Sequence, residues 1–325
     1  MLNFSKRTLV ASALLALLPA THLMAADAYP VKPIKLVVPF PPGGTSDTVA
    51  RVLATGMSEK LGQPIIVENR GGGGTIIGTE FVAKSPADGY TMLWMTTPFA
   101  INETLYKQLP YSTFKSFTPV IDVVSVPLVM IVNPASPAKT VGDLIAMAKK
   151  EPGKLSYGSS GNGGSPHLAT EMFTSMAGIK LNHIPYKGSA PSVMDLVGGQ
   201  TDVVIDTLFL TQPQVTAGKA RALAQTGATR SKVMPDVPTM REAGLAGYEA
   251  TSWLSLTVPA GTPPAVVSRL NAVANGVLSS PAIRESFAKQ GLEILAGTPE
   301  DAAQHLRAEV VRWGEAVKNS GAKVE

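Results

Sequence analysis

Short apolar runs alternate with stretches of helical period along nearly the whole chain. Ile34–Pro39 reads as a buried strand, Phe40–Asp47 as a turn rich in Pro and Gly, and Thr48–Leu61 as a helix. Strands follow at Pro64–Glu68 and Tyr90–Met95, with the Gly-rich turn Gly71–Gly74 and a short helix through Lys84 between them. Phe117–Val124 and Leu128–Val132 read as two strands on either side of Ser125–Pro127. Further strands are expected at Leu155–Tyr157, Leu181–Ile184, Val203–Ile205, Arg221–Gln225 and Trp253–Val258. The helix starts between strands carry cap chemistry. Thr140 and Thr298 each have an Asp three residues on, while Ser165-Pro166 and Thr262-Pro263 place Pro just after a capping hydroxyl. Strands alternating with helices of about 10–15 residues imply βαβ units and mainly parallel sheets.

The N-terminus departs from this alternation. Lys6 and Arg7 precede an apolar run from Thr8 to Leu18, and the small residues Ala25 and Ala26 follow. A basic segment, a short apolar core and a small-residue cleavage site make a secretory leader over residues 1–25. The run is too short for a bilayer, which needs about 20 apolar residues. Cleavage after Ala25 takes Lys6 and Arg7 with it, so the formal charge of +4 falls to +2. The longest remaining run of cations is the pair Lys149–Lys150, which argues against nucleic acid as a partner. The chain has 325 residues and no cysteine. Its length fits two domains at about 100–200 residues each. The missing thiols exclude disulfides, Cys-ligated zinc, thiol nucleophiles and a thioether-linked lipid anchor. Crossing points near Ser125 and Thr226 would make one domain discontinuous, residues 27–125 plus 226–325, around a second at 126–225. A cleft would then lie between two open α/β sheets, where ligands bind outside the carboxyl ends of strands.

Two loops carry the candidate chemistry. In the first, Gly43 and Gly44 free the backbone to turn N–H groups outward, and Thr45, Ser46 and Asp47 can cap the helix that follows. The second, Gly158 to Ser165 before Pro166, repeats those ingredients in the other domain. A helix N-terminus bears roughly half a positive charge, so each loop is an anion cradle without a cationic side chain, or a turn that merely changes direction. Polyphosphates would call for cations or Mg²⁺ ligands that neither loop shows; a carboxylate fits better. Gly71–Gly74 misses the dinucleotide fingerprint because Thr75 stands at its middle position, and tight helix packing explains it. His167, His183 and His305 form no zinc spacing, so no metal and no cofactor are expected. Ser165 with His167 lacks the closing Gly of a nucleophile elbow, which leaves a secreted serine hydrolase as a distant alternative. Asp206 either caps the next helix or meets a ligand ammonium or hydroxyl. Lys187 is a solvated turn lysine or a positive charge for the site. Phe40, Phe99, Tyr186 and Trp253 sit at strand ends, as cleft lining or core.

Taken in order, these motifs resemble the Bug family, the periplasmic solute-binding receptors of tripartite tricarboxylate transporters. The resemblance rests on Pro39-Phe-Pro-Pro-Gly-Gly-Thr-Ser-Asp47 with Ala50-Arg51, and on Glu68-Asn-Arg-Gly-Gly-Gly-Gly74. It continues through Ala87-Asp-Gly-Tyr90, Lys139-Thr-Val-Gly-Asp-Leu144, Pro152-Gly-Lys-Leu-Ser-Tyr-Gly158 and His183-Ile-Pro-Tyr-Lys-Gly188. Gly198-Gly-Gln-Thr-Asp202 and Pro235-Asp-Val-Pro-Thr239 complete it. One departure stands out: Gly71 occupies a position where the family pattern has Pro. The resemblance implies a two-domain Venus-flytrap α/β fold, type II-like, with the ligand cleft between the domains. It implies a non-enzymatic, monomeric receptor that gives a small carboxylate to membrane permease subunits or presents it to a sensor kinase. Ligand contacts are expected from Phe40, Pro42, Gly43, Gly44, Thr45, Ser46 and Asp47 in the first loop. The second loop gives Ser159, Ser160, Gly161, Asn162, Gly163 and Ser165; Thr97, Tyr186 and Asp206 complete the set, Asp206 toward the distal end of the ligand.

Overall fold

The computed structural model describes residues 29–322, so the leader expected at 1–25 lies outside the described residues. The chain opens with β1 (Ile34–Val38), α1 (Thr45–Leu61) and β2 (Ile65–Asn69). A 3₁₀ turn (Gly73–Thr75), α2 (Ile76–Ala83), β3 (Thr91–Thr96) and α3 (Thr97–Leu105) follow. The middle of the chain is β4 (Phe117–Val132), α4 (Val141–Lys150), β5 (Ser156–Ser159), α5 (Ser165–Ala177) and β6 (Asn182–Pro185). It continues through α6 (Ser189–Val197), β7 (Val203–Thr207), α7 (Leu208–Thr216) and β8 (Arg221–Gln225). Last come β9 (Thr251–Pro259), α8 (Pro264–Leu278), α9 (Pro281–Lys289), β10 (Glu293–Ala296) and α10 (Pro299–Ser320).

The strands pair in the order β2-β1-β3-β9-β4-β7-β5-β6, with β8 and β10 also on β4. The long strand β4 therefore serves two sheets. Its first part pairs with β9 and β10, and its last residues, Leu128–Val132, pair with β7 and β8. The two separate strands expected here are one continuous strand. Pro127 stands where β4 leaves the β9 ladder and takes up that of β7, the place where a missing N–H disrupts least. The expectation of mainly parallel sheets is also corrected. β1 pairs parallel with β2 and β3, and β5 with β6 and β7, but every partner of β4 is antiparallel.

Strands buried on both faces read as near-continuous apolar runs, and β1 (IKLVV) is of this kind except at the half-buried Lys35, which pairs with Glu68 of β2. Val49, Leu53, Met57 and Leu61 of α1 recur at helical spacing and bury against β1 and the facing helix α8. One core cluster runs under both sheets, from Leu93 and Phe99 through Met130 and Tyr157 to Phe173 and Trp313. Thr140 and Thr298 close the expected capping boxes on α4 and α10. Ser165 and Thr262 do not cap. Ser165 is the first residue of α5 after N-cap Gly164, and the Thr262 hydroxyl donates back to the Pro259 carbonyl. α3 and β10 had no distinct signal in the sequence pattern: α3 follows β3 without a break, and β10 is short and half-exposed.

Residues 226–250 pack beside the second sheet. Thr226 exchanges hydrogen bonds with the Leu128 backbone, and the Tyr248 hydroxyl donates to the Ala169 carbonyl of α5. α10 crosses the molecule, touching α3 at the first sheet and α5 at the second.

Candidate functional site

Five helices begin at one cavity of about 70 Å³ between the two sheets: α1, α3, α5, α6 and α7. Its walls include Gly44, Thr45 and Ser46 from α1, Thr96 and Pro98 from α3, and Ser165 and Pro166 from α5. Ser189, Ala190 and Pro191 come from α6 and Thr207 from α7. The N-caps of these five, Gly44, Thr96, Gly164, Gly188 and Thr207, make no side-chain cap. Away from the cavity, Thr140, Ser280 and Thr298 cap α4, α9 and α10 with their hydroxyls; α2, after Thr75, and α8, after Pro263, are uncapped as well. Uncapped first-turn N–H groups and the positive ends of helix dipoles are thus gathered where an anion can meet them.

The lining carries one charged side chain, Lys187, and no carboxylate. The hydroxyls of Ser46 and Thr96 are buried at the wall without a protein partner. An unsatisfied buried hydroxyl costs about 1–3 kcal/mol, so a polar ligand group that accepts from it gains by that much. Hydroxyl contacts also join the sheets. Thr45 Oγ1 lies 2.7 Å from Thr207 Oγ1. Ser165 donates to Ser252 at 3.2 Å, Ser252 lies 3.1 Å from Thr97 Oγ1, and that oxygen accepts the Trp253 N–H at 2.9 Å.

Of the expected contacts, Phe40, Pro42, Gly44, Thr45, Ser46, Ser160 and Ser165 line this cavity. Gly161, Asn162 and Tyr186 line a second, outer cavity of about 610 Å³, which shares Phe40, Pro41, Pro98, Ser160, Lys187 and Gly188 with the first. Gly43, at φ +91°, turns its N–H onto Asp47 at 3.1 Å. Thr45, Ser46 and Asp47 do not cap α1 as expected. Instead the buried Asp47 carboxylate accepts from Gly43, Arg51 and Asn69, tying the loop to β2. Burial raises its pKa, but those hydrogen bonds outweigh it and hold Asp47 below the usual carboxylate range. Thr97 is fully buried in the hydroxyl chain behind the wall. Ser159 pairs with His183 Nε2 at 2.6 Å, and the Gly163 N–H donates to His167 Nδ1 at 3.2 Å. These two loop positions brace the fold from behind.

His167 and His183 stack with centroids 4.3 Å apart. Burial pulls His167 down to about 3, with His183 adding to it, and burial pulls His183 down to about 4, so both are neutral near pH 7. The Ser165 hydroxyl goes to Ser252 and His167 accepts from Gly163; among the described residues the two do not hydrogen-bond each other, unlike a nucleophile and its base. Asp206 is wholly buried beside Thr207, whose N–H it accepts at 2.7 Å through Oδ1. It lines neither cavity; its Oδ2 has no hydrogen-bond partner, and burial pushes the carboxyl up to about 6 against the opposing effect of the nearby Ser189 and Thr207. Phe99 and Trp253 belong to the core.

Several wall residues escaped the sequence reading. Thr96-Thr-Pro98 and Gly188-Ser-Ala-Pro191 repeat the punctuation of Gly164-Ser-Pro166, which was the available signal. Val126, Ser252 and Leu254 reach the wall only because β4 and β9 pair and alternate their faces there, which no local pattern announces.

The sequence matches the family described as tripartite tricarboxylate transporter family receptor (TctC) over residues 49–322. Protein BugT of Bordetella pertussis is 40% identical over 304 residues, 93% of each chain. A protein of R. palustris solved with adipate is 38% identical, with a TM-score of 0.88 over 91% of this chain and 100% of its own. MatC of Rhodopseudomonas palustris, with bound malate, is 30% identical, with a TM-score of 0.85 over 89% of this chain and 100% of its own. Agreement of that extent in both sequence and backbone leaves one assignment: the chain belongs to the Bug-type receptors of tripartite tricarboxylate transporters, a family of periplasmic solute-binding proteins.

Proposed function

We propose that this receptor captures a small carboxylate in the inner cavity and delivers it to the membrane permease subunits of its transporter, after export by a leader cleaved near Ala25. The observation that carries the reading is the convergence of five uncapped helix starts on a wall free of carboxylates. Hydrogen bonds to a charged group are worth about 1.5–3 kcal/mol each. Four of them at the upper value, less an association cost of about 4 kcal/mol, reach the roughly −8 kcal/mol of a micromolar ligand. Adipate and malate in the related structures support the ligand class. Asp206 lines neither cavity; buried behind the wall residue Thr207, it acts on the far end of the ligand through Thr207, from whose N–H and hydroxyl it accepts. The division into domains follows the same reading. The chain crosses within β4 and again between Thr226 and β9, so that one domain is discontinuous and closes on the other.

A thermal-shift screen over mono-, di-, tri- and aromatic carboxylates tests this. A ligand at about 100 times its Kd stabilises by roughly 2.7 kcal/mol, a rise of several degrees in Tm. No shift with any class of acid contradicts the reading.

A further inference from the structure

The inner cavity is reached through a neck. Six residues belong to both cavities, and they come from both sheets: Phe40, Pro41 and Pro98 on one side, Ser160, Lys187 and Gly188 on the other. At the neck Gly188 faces Pro41 with room for one methyl group: a Cβ there would lie 3.9 Å from the Pro41 ring, at ordinary contact distance. Outside it lies the larger cavity, bounded by the phenols of Tyr106 and Tyr186 and by the Gly71–Gly74 backbone.

Lys187 is the one charged side chain on the lining of either cavity, and it stands at the neck. It is exposed and makes no ion pair among the described residues. The neighbouring Tyr186 donates its hydroxyl to Asp195 at 2.7 Å. An ammonium in water at the rim of a low-dielectric channel attracts anions over roughly a Debye length, about 10 Å at 0.1 M salt. The donors beyond the neck are helix N–H groups and hydroxyls, whose partial charges fall off within about a helix turn, faster than the full charge of an ammonium.

We infer that the outer cavity is an antechamber for the anionic ligand and that Lys187 is its capture residue, drawing the carboxylate to the neck without holding it in the final site. This division of labour separates rate from retention. Lys187 sets how fast ligand arrives, and the uncapped helix starts set how slowly it leaves. The inference rests on the carboxylate reading above.

Stopped-flow binding with whichever acid of the thermal-shift panel stabilises the wild type most tests it, using Lys187→Ala and Lys187→Arg. Because Lys187 is exposed, both variants keep the wild-type Tm. For K187A the association rate is expected to fall about 5–10-fold at about 10 mM salt and by less than about twofold at about 0.5 M salt. The dissociation rate stays within about twofold, and K187R keeps wild-type rates. A faster dissociation with unchanged association would make Lys187 a contact of the bound state and overturn the inference, as would no change in either rate. If no acid binds the wild type, the carboxylate reading fails and this inference with it. If acids bind and K187A associates normally, only this inference fails.

Discussion

The hydroxyl oxygens of Thr45 and Thr207 lie 2.7 Å apart, joining the first turn of α1 to the start of α7 across the two sheets. Both side chains are buried and both line the inner cavity, so the contact stands where the proposed closure brings the sheets together. Replacing Thr45 by Val keeps the shape and leaves the Thr207 hydroxyl with only its 3.3 Å approach to Asp206. A net loss of about 1 kcal/mol is expected, a fivefold weaker Kd carried by faster release. The double variant Thr45→Val/Thr207→Val should lose less than the sum of the singles, because the two hydroxyls satisfy each other. Strict additivity in calorimetry would mean that the pair does not latch closure.

Gly44 separates binding from folding. Its backbone is extended (φ −87°, ψ 173°), and a Cβ built there meets nothing within 4 Å. Gly44→Val should therefore keep the fold, at a cost of about 1 kcal/mol because Val is a poorer N-cap than Gly, while its side chain enters the cavity and abolishes ligand binding. At Gly43 the cost is backbone strain. At φ +91° an Ala is strained by about 1 kcal/mol or more whatever the space, so Gly43→Ala lowers stability even without ligand. Thermal unfolding and titration of both variants check the contrast.

Asp206 makes ligand-free stability depend on pH. Its pKa is raised from 3.8 unfolded to about 6 folded, so the folded state binds the proton more tightly. The stability this contributes is full below about pH 4 and is lost as pH rises through 6. Asp206→Asn removes the buried charge and keeps an oxygen for the Thr207 N–H. The variant should be more stable than wild type near pH 7.5, by up to about 3 kcal/mol, and show no such gain at pH 4. Urea unfolding at the two pH values reads this directly. An equal effect at both would mean that the carboxyl does not titrate in this range.

Most strands and helices were legible because β1, β3, β7 and β9 are apolar runs and α1, α4 and α10 carry strong helical spacing or capping boxes. What local pattern does not encode is partnership. Pro127 reads as a break, yet β4 continues through it because the strand changes partners at that residue. Asp47 reads as a cap or ligand contact, whereas Arg51 and Asn69, the latter from β2, claim its carboxylate. The two Gly/Ser loops announced α1 and α5. The other three helix starts converge on the cavity through chain topology, and Ser252 arrives there by strand alternation on β9. Local glycine and hydroxyl chemistry thus marks where an anion is met, and long-range pairing decides which loops share it.

The central claim is that helix N-termini hold a negative charge in the inner cavity, and its most direct measurement is isothermal titration of one bound acid against its primary amide. The two ligands match closely in shape and differ in charge. If three or four charge-assisted hydrogen bonds hold the carboxylate, the amide should bind at least about 100-fold more weakly, since such bonds are roughly twice as strong as neutral ones and an amide N–H₂ faces donors with no acceptor. Equal affinity for acid and amide would contradict the account.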